Sequence, residues 1–279
     1  DWDALGAPST PGYYFQTAIP SLPVAMEFAR YNIENGGNIS ALIVANGTYE
    51  PIHNDIGIRI IGACPEDTKI LVSPADEYAT KFSGPDGGSL ENFTLNGATK
   101  SVVVQDTQAT LKGVVLTHQK VATVSEDGSD TSVNIENSVV QGLYGGVAVS
   151  VTDQATLTMS RSVIRDIDQL EQEVEGETVT SGGVGILVAR QADATLTDVR
   201  IENSYIGMVI GNAYDPSWRA TMDVNRLVMD NVHMGALVGS YVTLDATDVV
   251  FKDMGMASMD ATNATVTGNR WFSRVQPGA

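Results

Sequence analysis

From residue 88 onward the chain repeats one hydrophobic signature: two alternating inward residues, two polar or turn residues, then two more alternating inward residues. It reads Gly88, Leu90, Phe93, Leu95, then Ala109, Leu111, Val114, Leu116, then Val133, Ile135, Ser138, Val140, then Leu157, Met159, Ser162, Ile164. Further copies run from Ala194 to Ile201, Met222 to Met229, Leu244 to Phe251 and, more weakly, Ala264 to Trp271. Successive copies start 21, 24, 24, 37, 28, 22 and 20 residues apart, a spread that suits a solenoid whose loops vary from coil to coil. Between copies lies a second alternating stretch, seen in Val147–Val149, Val184–Val188, Ile206–Ile210 and Met234–Val238, so each repeat is predicted to carry three short strands. The two-residue spacer often holds Asn92, Gly113, Asn137, Asp198, Asn225 or Asp248, residues that accept a sharp bend or left-handed backbone. A β-sandwich also has short alternating strands, but its hairpins would leave Asn-Gly or Asp-Gly turns every 8 to 12 residues or so, and the second half has none in that role.

An apolar helical stretch around Leu22–Ala29 precedes Ala41-Leu-Ile-Val-Ala-Asn-Gly-Thr-Tyr-Glu50, then Ile56–Gly62 and Ala63–Leu71. Three strands per coil, a tight polar bend and the stacking of like on like resemble the right-handed parallel β-helix of the pectate lyase-like superfamily, and this N-terminal third is similar to its capping helix and early coils. The resemblance implies an all-β, right-handed three-stranded parallel β-helix over residues 22–279. Insertions are expected at 165–183 and 211–220, and an extended N-terminal arm at 1–21. It implies little about activity, because one coil architecture hosts lyases, hydrolases, esterases, adhesins and spacers. Gly47-Thr-Tyr49 and Gln105-Asp106-Thr107 are similar to stretches of pectin methylesterases. The Asp-Phe-Ile-Phe-Gly and Gly-Arg-Pro-Trp elements that would carry the second aspartate and the arginine are absent, as are the polygalacturonase signatures.

Charge narrows the partners. Asp plus Glu total 34 against 16 Lys plus Arg, a formal charge of -18, which repels nucleic-acid phosphates and anionic lipid. No apolar run approaches the roughly 20 residues of a spanning helix, so membrane insertion is not expected. Cys64 is the single cysteine, which excludes an internal disulfide and a Cys-rich zinc site. The sequence starts at Asp1 and is expected to be a mature form or an excised fragment of a secreted or bacterial cell-surface protein.

Enzymes of the resembled fold carry their charged residues on outward positions of the strand that here is the second alternating stretch. Those positions read Val103, Ala148, Ser150, Gly185, Leu187, Gly207, Val209, Gly235, Leu237, Gly255 and Ala257, with nothing stronger than Ser150, so no catalytic residue and no metal ligand is assigned. His53, His118 and His233 are too far apart along a stacked solenoid to form a metal triad and are expected in loops or bends. The Thr-x-Thr pairs 156/158, 195/197 and 265/267 are interrupted by charges at equivalent positions, and ordinary strand propensity accounts for them.

Parity suggests a binding surface instead. If the larger residues of Val184–Val188, Ile206–Ile210, Met234–Val238 and 254–258 alternate inward, Gly185, Gly207, Gly235 and Gly255 form one outward column and Leu187, Val209, Leu237 and Ala257 another. A solvated strand face is normally polar, so this apolar strip is expected to be covered by the 165–183 insertion, by the arm or by a like subunit. Ile167, Leu170 and Val174 fall at helical spacing, which predicts a short acidic helix in the first insertion. In the second, Tyr214, Asp215, Trp218 and Arg219 suit a sugar ring or a protein partner. The expected function is binding, adhesion or assembly without catalysis and without a cofactor, calcium being the one ion left open. The alternative is a polysaccharide lyase or glycoside hydrolase with an acidic, loop-built site.

Overall fold

The structure, a computed structural model, describes residues 21–73, 76–117, 122–174, 177–211, 219–239, 241–252, 265–267 and 271–274. The helix Leu22–Glu34 opens the fold with Pro23 in its first turn, where a missing N–H costs nothing. It buries Leu22, Met26 and Ala29, one stripe at helical spacing, and packs against the strand Ile52–Asn54, closing the end of the solenoid. Arg30 on this helix holds Asp55 at 2.6 Å. Burial works against the Asp55 charge, but the Arg30 hydrogen bond and its positive charge outweigh it, and the carboxyl stays below its ordinary value of 3.8. A carboxyl depressed in the folded state contributes stability above its unfolded pKa and loses it as pH falls through the folded one. The wild type should therefore lose thermal stability more steeply below about pH 4 than Asp55→Asn, checked by melting temperatures from pH 6 to pH 2.5.

Behind this cap the chain winds through three parallel sheets. The first holds Ala41–Val44, Arg59–Gly62, Gly88–Glu91, Gln108–Lys112, Ser132–Glu136 and Thr156–Ser160. The second holds Gly47–Tyr49, Thr68–Leu71, Thr94–Asn96, Val115–Thr117, Val139–Tyr144 and Val163–Asp168. The third holds Ile52–Asn54, Tyr78–Phe82, Lys100–Gln105, Ala122–Asp127, Val147–Val151 and Val184–Val188. The later coils Asp193–Ile210 and Ala220–Val238 run through all three sheets without a break, and Val242–Lys252 through the first two. Register follows the repeat: Leu90, Leu111, Ile135, Met159, Leu196 and Val224 stack in one buried column. Serine at the inward positions 138 and 162 is no defect. Ser138 Oγ accepts the Val114 N–H at 3.2 Å and donates to the Glu136 carbonyl at 2.8 Å, and Ser162 Oγ serves Ser138 N–H and the Ser160 carbonyl in the same way.

The first corner places its second spacer residue in the left-handed region: Asn92 (φ 59), Gly113 (61), Asn137 (51), Arg161 (47), Asp198 (55), Arg226 (57) and Asp248 (55). In the 225–226 spacer the bend thus falls on Arg226 and not on Asn225, which stays exposed in the strand. A left-handed arginine costs about 1–2 kcal/mol of local strain. Its neighbours offset it, since Arg226 Nη2 donates to Asp198 Oδ2 at 2.6 Å and Arg161 Nε to Asn137 Oδ1 at 3.0 Å. A second corner stacks Gly142, Asp166, Asn203 and Asn231, all with positive φ. Here Asn231 Nδ2 donates to Asn203 Oδ1 and Asn203 Nδ2 to Asp166 Oδ1, both at 2.9 Å.

The first insertion is a β-hairpin, not the expected helix: Leu170–Val174 pairs antiparallel with Glu177–Ser181. Ile167 is drawn into the core as part of the strand Val163–Asp168, which removes one of the three residues that suggested a helical stripe. Leu170, Gln172 and Val174 then alternate at strand period, and Thr178, Val179 and Thr180 favour the returning strand.

Candidate functional site

The outer face of the third sheet is the surface on which the sequence placed its candidates. Beyond Ile52–Asn54, whose one outward residue is His53, the strands with described side chains share two outward columns. One column, in register from coil to coil, contains Lys81, Val103, Ser150, Leu187, Val209 and Leu237, all half-buried. The other contains Tyr78, Lys100, Val147, Val184, Ile206 and Met234, also half-buried. The face therefore changes character along the solenoid, basic and hydroxyl-bearing near the helical cap, mixed at Val147 and Ser150, and apolar from Val184 onward.

Leu187, Val209 and Leu237 stand outward as expected, but Gly185, Gly207 and Gly235 do not. All three are buried. A Cβ on Gly185 would lie 2.6 Å from the Gly207 carbonyl oxygen and 3.3 Å from Ile201 Cγ2, and one on Gly207 would lie 2.6 Å from the Gly235 oxygen and 2.9 Å from Met229 Sδ. Strict alternation fails because Tyr78–Phe82, Lys100–Gln105, Val147–Val151, Val184–Val188 and the later coils enter the third sheet from a corner with two consecutive residues turned inward. Val184 pairs with Ile206 and Ile186 with Met208, while the residue between lies over the core. Ala79, Ser101 and Ala148 occupy that inward position in earlier coils and are buried too, so Ala148 is not outward either. In exchange Val184, Ile206 and Met234, expected inside, join the outer strip and widen it.

An aromatic column borders this strip where the second sheet turns into the third. Tyr144 pairs with Asp168, and the register of Ile167 with Ser204 and of Ser204 with Val232 places Asp168, Tyr205 and His233 in line behind it. The Tyr205 and His233 rings stack with centroids 4.8 Å apart and an interplanar angle of 8°. Tyr144 is 60% exposed. The hairpin rises beside this edge: a Cβ on Gly183 would lie 2.7 Å from Tyr205 Cβ, and one on Gly145 would lie 2.4 Å from Leu170 Cβ. Its two strands pair with each other and with no strand of the solenoid. The signal for this column was present in the sequence, since Tyr144, Tyr205 and His233 each follow by one residue the last inward residue of the second strand, Leu143, Ser204 and Val232.

Asp168 is the one acid in this border, and the outward columns of the third sheet carry none among the described residues. Nor do the described residues bring three or more His, Cys, Asp or Glu together as a metal site. Tyr214, Asp215, Trp218, Gly255, Ala257 and His118 lie outside the described residues, while Arg219 is exposed just before the strand that starts at Ala220. His233 belongs to a strand and stacks on Tyr205, and His53 also lies in a strand, so neither is a loop histidine. On the first sheet, Thr195, Thr197, Asp223, Asn225, Asp245 and Thr247 line a shallow depression, with both carboxylates exposed among the hydroxyls.

No protein-family model and no curated protein matches the chain. Solved structures do resemble it. A pectin methylesterase bound to a hexasaccharide superposes with a TM-score of 0.51 at 11% identity over 92% of this chain and 89% of that one. The catalytic domain of a GH87 α-1,3-glucanase with tetrasaccharides gives 0.49 at 13% identity over 95% and 70%, and a pectin methylesterase from Yersinia enterocolitica 0.47 at 9% over 89% and 94%. At such identities the likeness is one of architecture, and the architecture is the parallel β-helix that the repeat predicted.

Proposed function

We propose that the chain binds a glycan along the outer face of the third sheet, as a secreted or cell-surface protein. The observation that carries this reading is the joining of an apolar strip to an aromatic column, exposed Tyr144 and His233 with half-buried Tyr205, edged by the hydrogen-bonding corner of Asp166, Asn203 and Asn231. Sugar rings have apolar faces and a rim of hydroxyls, and they bind where aromatic surface and planar polar side chains lie side by side. The charge of -18 favours a neutral polymer over a polyanionic one. Nothing in this recognition calls for calcium.

The test is a glycan array run with and without chelator, followed by titration of the best ligand. Tyr205→Ala should weaken binding about tenfold, roughly 1.4 kcal/mol, and Leu187→Asp with Leu237→Asp should abolish it. Unchanged affinity in both variants would sink the reading. A solution mass that falls from dimer to monomer in the double aspartate variant would instead assign the strip to a like subunit.

Asp168 supports a second reading, a carbohydrate-active enzyme acting on the same polymer. It is an exposed carboxylate set in the aromatic column between Tyr144 and Tyr205, where a bound sugar would meet it. New reducing ends or unsaturated products that vanish in Asp168→Asn, with binding retained, would favour it over binding alone.

A further inference from the structure

Near the helical cap, well away from the aromatic column, the third sheet brings together a serine and a histidine that the proposed binding does not use. His53 projects outward between the buried Ile52 and Asn54. The register of Asn54 with Phe82 brings Ser83 level with the end of that strand, and His53 Nε2 lies 2.6 Å from Ser83 Oγ. The serine backbone is fixed, because its N–H donates to the Asn54 carbonyl at 3.3 Å. Asp55, two residues beyond His53, is anchored at 2.6 Å by Arg30. Lys81, in register with His53 and two residues before Ser83, adds a cation to the same patch. Gly84 then lets the chain turn against its neighbour, since a Cβ there would lie 2.1 Å from the Asp55 carbonyl oxygen.

We propose that Ser83 and His53 form a nucleophile and general-base pair that hydrolyses short-chain acyl esters. A serine hydroxyl becomes a competent nucleophile when a base within hydrogen-bond reach takes its proton. With the ring proton on Nδ1, Nε2 accepts from Ser83 Oγ. Oγ attacks the ester carbonyl carbon while Nε2 takes the hydroxyl proton, leaving an imidazolium beside the tetrahedral intermediate. As the tetrahedral intermediate collapses, the C–O bond to the alcohol breaks and Nε2 returns the proton to the leaving oxygen, giving acyl-Ser83 and free alcohol. Water, deprotonated by the same nitrogen, then attacks the acyl carbon; the bond from that carbon to Ser83 Oγ breaks, Nε2 returns the proton to Oγ, and carboxylic acid and free serine result. Ser83 and His53 are catalytic residues in this scheme. The substrate class follows from the surroundings: Ile52 and Phe82 turn into the core and the histidine is exposed, so the surface suits an acetyl-sized group better than a long acyl chain.

A fluorophosphonate probe and p-nitrophenyl acetate test the pair on the full chain. The wild type should gain one probe adduct on the peptide holding Ser83 and hydrolyse the acetate above the buffer rate. Ser83→Ala should lose both, and His53→Gln should slow hydrolysis about 100-fold or more. His53 is exposed and Ser83 half-buried, so unchanged melting temperatures in these two variants would show that lost activity is not lost folding. No adduct at Ser83, or acetate hydrolysis that survives in Ser83→Ala, would overturn the proposal. These variants leave Leu187, Tyr205 and Leu237 intact, so failure here and failure of the glycan reading are separate results.

Discussion

Valine in place of Gly207 should destabilise the protein by about 3 kcal/mol, seen as a melting temperature lower by roughly 6–10 °C. The position lies in a strand, where β-branched residues are normally better than glycine, and on an outward face the substitution would be neutral or stabilising. It is the inward orientation that reverses the sign. The first added carbon would meet the Gly235 carbonyl oxygen at 2.6 Å, a backbone atom that cannot rotate away, and Met229 Sδ at 2.9 Å. The two γ-methyl groups of valine would enter a core where Met229 and Ile201 are already fully buried. Val209→Thr, two residues on and outward, is the matched control and should change stability by less than about 1 kcal/mol. A Gly207→Val variant as stable as the wild type would show that the small-residue column faces solvent after all.

The same glycine column marks where the sequence could be read and where it could not. From Leu90 to Val224 the inward residues of the first sheet were legible because the strands are straight and alternation holds along each of them. The first corner was legible because Asn92, Asn137 and Asp198 are residue types that tolerate a left-handed backbone, whereas Arg226 is not and its bend was assigned one residue early. Parity on the third sheet failed because the chain arrives there from a corner with two successive residues turned inward, and period alone does not register such a step. The hairpin was misread because Ile167 serves the coil and not the insertion. Ser83 and His53 were illegible for another reason. They are 30 residues apart, in coils that precede the first clear copy of the repeat, so no register connected them until the strands were placed. The tyrosine column was readable in principle by extending the known register one residue past the second strand.

Leu111→Ala should cost about 3–4 kcal/mol and broaden the denaturant transition as well as shift it. Leu111 is fully buried and sits in register between Leu90 on one side and Ile135 on the other. Deleting most of its side chain removes the transfer free energy of three carbons and leaves a cavity between coils. A globular core can close part of such a cavity by shifting its elements together. Here the strands above and below are pinned by parallel ladders on three faces, Gln108–Lys112 to Ser132–Glu136 among them, so little collapse is open to the site. Position then matters as much as volume. In a solenoid each coil touches only its two neighbours, and cooperativity passes through every interface in series. A weakened interface in the middle lets the helix-capped N-terminal coils and the later coils unfold at different denaturant concentrations. The expected signature is a fall in apparent m-value together with the shift in midpoint. Met159→Leu, in the same column and close in volume, should cost less than about 1.5 kcal/mol and keep the wild-type slope. An unchanged slope in Leu111→Ala, with the full loss of stability, would show instead that the stacked coils unfold as one unit.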